Sequence, residues 1–347
     1  PGLHLPVSEL NELRRRLVAE LDATSRAGEL ARRDVPLAPE GVARRLIGDP
    51  RTAAAPESRS ARLVPLCRTD AQLDAAIAAG CPEVELDWME LVGLERAVAR
   101  AREAKLTVTI ATVRVQKPGE EGYDRRLARL KPDGLLVRHW GALESFRSSG
   151  AADPAAPVLH GDFSLNVTNA VTARFLLSRG LADVTPAHDL DVVQLGRFLD
   201  HVDPSRVTVV LHHHIATFHT EHCVYAHLLS EGRDFRDCGR PCEEHLVALR
   251  DRTGDEHPVV VDVGCRNTVF NARAQTAARH VPALLTRGVR RFRAEFVREG
   301  REETAEVLAA YRALLDGASP PDDAVRRVGA LERFGVTSGT LRVMDPA

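Results

Sequence analysis

From Arg62 onward, short apolar runs alternate with stretches of helical period. The apolar runs are 63–66, 83–87, 106–112, 134–138, 157–163, 182–186, 207–212, 259–263 and 290–296. Between them, apolar positions recur three and four residues apart, as over 70–79, 91–104, 123–130, 139–145, 168–179 and 190–199, and again over 302–315. This alternation predicts an α/β fold with a parallel sheet and crossover helices. About eight strand–helix units in roughly 250 residues is the number of a (β/α)8 TIM-like barrel. Nine candidate strands are one too many, so 259–263 is assigned to an insertion. An open doubly wound sheet is the alternative, and the missing Gly-x-Gly-x-x-Gly after the first strand weighs against it.

The flanks read differently. Residues 7–22 carry Leu10, Leu13, Leu17 and Leu21 at helical spacing behind Ser8, a candidate cap. Residues 23–60 lose that pattern, and TAAAPESRSA reads as a linker. At the other end, Ser338-Gly339 lies between β-prone arms, which predicts a hairpin. The expected organisation is an N-terminal helix and linker over 1–60, a barrel over 61–317 with a Cys-rich insertion at 213–271, and a C-terminal hairpin or tail over 318–347.

Composition changes the picture little. The 347 residues can bury a full core, and the net charge of −2 gives no general attraction to nucleic acid. Lysine occurs only at 105, 117 and 131, so almost all positive charge is arginine, as genomic bias or guanidinium recognition would produce. No apolar run is long enough to span a bilayer and no signal peptide is evident, so a cytoplasmic chain without a membrane partner is expected. In that compartment, six cysteines are ligands or core residues rather than disulfides. The start at Pro1 fits a processed chain or a piece of a longer one.

Residues 207–271 hold four of the six cysteines, Cys223, Cys238, Cys242 and Cys265, and eight of the fourteen histidines. The cysteine spacings are C-x14-C, C-x3-C and C-x22-C. Four thiolates satisfy a [4Fe–4S] cluster, and Gly and Pro in CGRPC bend the chain between the central pair. Zinc is the rival, although its sites usually show two close pairs. Unliganded core cysteines are the third reading. HTEHC at 219–223 fits neither zinc-protease pattern.

The expected strand exits are polar almost throughout: Glu85 and Asp87, Thr112 and Arg114, Arg138 and His139, His160, Asp162 and Asn166, His188 and Asp189, His212 and His214, Arg293 and Glu295. A barrel carries its site at these exits. A polar mouth is therefore expected, although each residue alone could be a cap or a salt bridge.

The run FHTEHCVYAHLLSEGRDFRDCGRPCEEH, followed by VVVDVGCRNTVFNARAQT, resembles the signature region of peptidase family U32, the collagenase-like proteases. KPDGLLVRHWGAL at 131–143 and LHGDFSLNVTNAVTARFLLSRG at 159–180 are similar to its barrel segments. The resemblance covers roughly residues 60–300 and places this chain with the later barrel region of longer members. In those members an earlier U32 region and another domain precede it, so an upstream U32 domain or a partner subunit is implied.

The family name implies proteolysis, but the sequence has no Ser–His–Asp order and no credible thiol–His pair. Other branches are implied to be oxygen-independent hydroxylases of RNA pyrimidines or ubiquinone precursors, with a [4Fe–4S] cluster and prephenate as hydroxyl source. The family's cluster ligands fall on Cys223, Cys238, Cys242 and Cys265. The resulting expectation is an iron–sulfur hydroxylase acting on an RNA base or small aromatic. Its carboxylate co-substrate would be held by Arg138, Arg266 or Arg293. His160, His212 and His219 are the proton-transfer candidates, and Glu85, His139, Asp162 and Asn166 complete the substrate-binding set. Arginines at 125–129 and 287–293 could favour RNA. A peptidase, and a non-catalytic barrel half with a structural iron–sulfur or zinc site, are the alternatives.

Overall fold

The computed structural model describes residues 6–29, 46–48, 50–51, 60–88, 91–150, 156–232 and 235–343. The chain divides into two compact units, Pro1–Gly48 and Asp49–Ala347. In the first, α1 (Val7–Glu29) runs one to two turns beyond the expected 7–22, and its Leu10, Leu13, Leu17 and Leu21 are exposed. Most of the expected linker, residues 52–59, lies outside the described residues.

The second unit is built on one curled sheet. Its parallel strands are β1 (Arg62–Cys67), β2 (Glu83–Leu86), β3 (Thr107–Ala111), β4 (Gly134–Val137), β5 (Val158–Gly161), β6 (Asp183–Val184), the first part of β7 (Thr208–Thr220), and β11 (Arg291–Glu295). They run in the order β6-β5-β4-β3-β2-β1-β11-β7. A parallel bridge from Val184 to Val207, the residue before β7, joins the two ends of that order.

Crossover helices follow the strands: α2 (Asp70–Ala78), α3 (Leu91–Glu103), α4 (Gly122–Arg129), α5 (Trp140–Gly150), α6 (Ala170–Ser178) and α7 (Val192–His201). Several start on side-chain caps. The Asn169 side chain accepts from the Thr172 amide, and Asp191 forms a capping box with Gln194. After β11 come α10 (Arg301–Leu315) and α11 (Pro321–Leu331). No described helix is long and apolar enough to cross a membrane.

Alternation along β11 explains why the strand exits are polar. Phe292, Ala294 and Phe296 are fully buried, while Arg291, Arg293 and Glu295 meet other strands through charge. Arg293 reaches Asp162, just past β5, at 2.8 Å, although four strands separate β11 from β5 in the sheet. Only the concave interior offers that route. The space inside is filled by ion pairs as well as by apolar layers.

Between β7 and β11 the sheet changes character. β7 is 13 residues long, and its second half pairs antiparallel with β10 (Asn267–Thr276). β9 (Glu256–Val261) and β8 (Val247–Arg250) extend this antiparallel arm; α8 (Val224–Leu229) lies between β7 and β8 in the chain, and α9 (Val281–Thr286) follows β10. Its small core is Tyr225, Val259, Val261 and Val269, with Cys223 and Cys242 packed against it. Tyr225 ties the arm together, its hydroxyl donating to the Val259 carbonyl at 2.7 Å. The run 259–263 is thus an added antiparallel strand, as expected, whereas β8 and β10 are not anticipated from the apolar pattern.

The C-terminal hairpin is a misreading. The residues before Ser338 form α11 and then β12 (Val336–Thr337), which pairs parallel with β10. Beyond the turn, Gly339–Leu341 form a 3-10 turn, not a second arm. The Ser338-Gly339 signal marks a stop and not a reversal. Residues 344–347 of the expected hairpin lie outside the described residues.

Candidate active site

The floor of the site is a buried ion-pair lattice. Arg293, fully buried, contacts Glu85 at 2.5 Å, Asp162 at 2.8 Å and Glu295 at 3.4 Å. Arg138 donates its Nε to Asp162 at 2.8 Å and both terminal nitrogens to Asp87, at 2.7 and 3.0 Å. Burial alone would raise the Asp87 and Asp162 carboxyls. Instead Arg138 with Arg68 holds Asp87, and Arg293 with Arg138 holds Asp162, below the usual carboxylate range. Lower in the interior, His160 Nδ1 lies 2.6 Å from Asp183, which also accepts from Thr208 at 3.0 Å.

Above this floor is a cavity of about 370 Å³. Arg68, Asp87, Arg114 and Arg138 give it charge, His219 adds a polar imidazole, and Trp88, Tyr123 and Phe270 give it flat apolar surface. Arg138 is saturated by its two carboxylates. Arg114 is not: its guanidinium sits 5.0 Å over the Phe163 ring, with no hydrogen bond or ion pair among the described residues. Phe163 stacks on His188 at 4.2 Å, and His188 meets the His213 ring at 4.2 Å with the planes tilted by 53°, so the fork rests on a column of rings. Burial first, and then the Arg138 charge, lower the Arg114 pKa to about 10. An anion there would relieve both.

The four candidate ligands Cys223, Cys238, Cys242 and Cys265 line a second cavity, of about 210 Å³. All four thiols are free and half-buried. Burial, and then the neighbouring Cys223, Cys242 and Cys238, push the Cys265 thiol up to about 11, the signature of sulfurs crowded without a counter-charge. Among the described residues, no three of these sulfurs lie within 4.8 Å of one another. A tetrahedral zinc with Zn–S of about 2.3 Å needs sulfurs roughly 3.8 Å apart.

The loop holding Cys265 is shaped for that position. Asp262 Oδ1 accepts from the Gly264 and Arg266 amides, at 2.8 and 2.9 Å. This Asx turn holds Cys265 at φ 61°, a conformation non-glycine residues rarely adopt. Its other oxygen, Oδ2, is buried and has no hydrogen-bond partner. It faces His219 Nε2 at 4.0 Å, likewise buried and unpartnered, while His219 Nδ1 lies 2.9 Å from the Thr268 hydroxyl. Burial, and then Arg114 and Arg266, lower His219 to about 4, so its imidazole is neutral near pH 7. Asp262 lines both cavities.

The structure thus gathers His219, Arg138 and the four cysteines around two adjoining cavities. Glu85, Asp162, Arg293 and His160 lie in the interior lattice and line neither cavity. Arg266 is spent on Glu221 at 2.8 Å and Glu120 at 2.7 Å. His139 Nδ1 accepts from the Ala142 amide at 3.1 Å and starts α5. Asn166 is exposed and ends a 3-10 turn at φ 56°.

His212 is a correction to the expected mouth. Arg293 pairs with Val210, but Ala294 pairs with His212, so Leu211 is an extra residue on β7. This bulge sends His212 outward, against Tyr311, and turns His213 inward onto His188. The residues missed are Arg68, Arg114, Asp262 and the ring column. Of these, Arg114 and His188 stand among the polar strand exits, and D-x-G before Cys265 is the turn signature that could have exposed Asp262.

The sequence profile described as peptidase family U32 matches residues 85–330, more than half of the chain. The U32 peptidase Mk0906 shares 15% identity over 48% of this chain and 74% of its own, with a TM-score of 0.37. DHDPS from Cyanidioschyzon merolae shares 12% over 77% of this chain and 79% of its own, with a TM-score of 0.39. These structural likenesses are too low to inform the chemistry. No curated protein matches the chain.

Proposed function

The chain belongs to peptidase family U32, and on that premise we propose that it is an iron–sulfur enzyme that hydroxylates a planar aromatic substrate, an RNA base or a small ring. Cys223, Cys238, Cys242 and Cys265 hold the cluster. The observation that carries this reading is the adjacency of two cavities, one lined by four free thiols and the other by an unpaired guanidinium, with Asp262 on the wall of both.

A bound [4Fe–4S] cluster would supply a redox or Lewis-acid centre. The chain's own residues do the rest. Arg114, backed by Phe163, receives the carboxylate of a co-substrate such as prephenate. Trp88, Tyr123 and Phe270 take the aromatic ring by stacking. His219, neutral and aimed by Thr268, accepts a proton at Nε2 and passes it toward Asp262. Arg138 and Asp87 keep the wall rigid. With a net charge of −2, grip on a long RNA would come from an upstream U32 domain or a partner subunit.

The test is an anaerobic incubation of the iron-loaded protein with prephenate and either unmodified RNA or small aromatic acceptors, read by mass spectrometry. A hydroxylated product that disappears in Cys238→Ala supports the assignment. Cleavage of casein or collagen by that variant at the wild-type rate, with no hydroxylated product from either protein, overturns it.

A further inference from the structure

Outside the barrel, behind the bulge on β7, four metal-ligating side chains converge where the proposed hydroxylase chemistry makes no use of them. His212 and His214 project from β7, Glu299 from the segment before α10, and Glu332 from the end of α11. Their side chains are 0, 8, 9 and 10% exposed. His212 Nε2 lies 3.4 Å from Glu332 Oε1 and 3.9 Å from Glu299 Oε1. His214 Nε2 lies 3.4 Å from Glu299 Oε1 and 3.4 Å from Glu332 Oε2.

These separations are long for hydrogen bonds, which cluster at about 2.7–3.2 Å. Neither His212 Nε2 nor Glu299 Oε1, both buried, has a hydrogen-bond partner. A tetrahedral ion with donors at about 2.0–2.2 Å sets them roughly 3.3–3.6 Å apart; His212 Nε2 to Glu332 Oε1, at 3.4 Å, falls in that range, and His212 Nε2 to Glu299 Oε1, at 3.9 Å, lies just outside it. Among the described residues, His212, Glu299 and Glu332 are the one group of three or more such ligand atoms within 4.8 Å.

The outer contacts fix the lone pairs. His214 Nδ1 lies 2.7 Å from the Asn271 carbonyl, which can only accept, so Nδ1 carries the proton and a neutral ring turns a bare Nε2 inward. Tyr311 donates its hydroxyl to Thr276 at 2.8 Å, so its oxygen accepts from His212 Nδ1 at 3.1 Å, with the same consequence. Glu299 Oε2 is held by the amides of Val297 and Arg298, at 2.6 and 2.8 Å, which leaves Oε1 for the centre. Histidines oriented through Nδ1 by a carbonyl or hydroxyl are the usual support of a metal site.

Nearby cations are engaged elsewhere. Arg298 donates to the Val247 and Val259 carbonyls, and Arg333 pairs with Glu256. A cavity of about 240 Å³ lined by His214, Glu299 and Glu332 gives an ion access.

We infer that His212, Glu299 and Glu332, with His214 beside both carboxylates, form a binding site for a divalent first-row transition metal, with one imidazole nitrogen and two carboxylate oxygens as donors. Two carboxylates and one dication cancel in charge, which suits a buried site. The ion takes three protein donors and leaves one tetrahedral position to water. It staples β7, where that strand leaves the barrel for the cysteine-bearing arm, to the segment before α10 and the end of α11.

The probe is Co2+ added to the chelator-treated full chain under anaerobic conditions. The expected result is about one equivalent bound with the visible bands of tetrahedral cobalt and no sulfur-to-cobalt charge transfer, unchanged in Cys238→Ala. Glu332→Gln should abolish it. Tyr311→Phe keeps all three donors and should weaken it by about ten- to a hundredfold; it decides the matter should Glu332→Gln fail to fold. Cobalt bound only with sulfur charge transfer, no cobalt bound, or wild-type affinity in a folded Tyr311→Phe would leave two imidazolium–carboxylate pairs and overturn the site. None of these outcomes depends on whether the cysteines hold iron.

Discussion

His219 Nε2 and Asp262 Oδ2 face each other across 4.0 Å, and neither buried atom has a hydrogen-bond partner. Two orphaned atoms at the wall between the cavities cost free energy unless something else uses them. In the proposed reaction, proton transfer during turnover is that use. His219→Gln should therefore lower turnover by about 10²–10⁴-fold, the range of a general base, with iron content unchanged. Asp262→Asn should do likewise, because Oδ1 still accepts the amides that shape the Cys265 loop. Steady-state rates beside the visible absorption of the cluster check both.

Arg114 is the expected carboxylate anchor, because among the described residues it makes no hydrogen bond or ion pair and rests on the Phe163 ring. Charge-assisted hydrogen bonds contribute about 1.5–3 kcal/mol. Arg114→Met should weaken prephenate binding by roughly ten- to a hundredfold, as titration calorimetry would measure. Arg114→Lys should not restore it, since an ammonium lacks the planar fork that rests on Phe163.

Arg293 carries stability. Removing it leaves Glu85 and Asp162 buried without their shared cation. Breaking one side of a buried pair costs about 3–5 kcal/mol. Arg293→Met should lower stability by that amount in denaturant titrations. Arg147→Met removes an exposed pair with Glu144 and should change little.

His188 sets a pH window. Burial is the main cause that lowers it from the ordinary value of 6.5 to about 3, so the folded protein keeps it neutral where the unfolded chain binds a proton. Its contribution is complete above about pH 6.5 and is lost as pH falls toward 3, with a slope of at most about 1.4 kcal/mol per pH unit. Asp87 and Asp162, held low by arginines, act in the same direction but only below the ordinary carboxylate range. His188→Phe keeps the stack on Phe163 and should flatten the decline between pH 6 and about 4 in thermal melts.

Much of this was legible in the sequence, for identifiable reasons. Strand–helix alternation needs only local pattern, so β1 to β7 and β11 were found. The four cysteines stand out in the sequence because soft ligands are concentrated in one segment, and the fold brings all four to one cavity. The errors at Arg293, Glu85 and Asp162 have one cause: a polar strand exit reads the same whether it faces a ligand or a partner across the interior. Only the pairing of Arg293 with Asp162 tells the two apart. At His212 the cause is a single bulged residue, Leu211, which reverses every inward and outward assignment after it. β8 and β10 were missed because their strands are partly polar and stabilised by pairing with β9 and β7, a long-range effect that local periodicity does not carry.

The central claim is that the four cysteines hold one iron–sulfur cluster beside a carboxylate-binding cavity. Electron paramagnetic resonance of anaerobically purified, dithionite-reduced protein, with and without prephenate, tests it most directly. The expected result is a [4Fe–4S] signal in the wild type that changes when prephenate is added and is lost in Cys238→Ala. A protein that carries stoichiometric zinc at the four cysteines and gives no such signal after iron reconstitution would contradict it.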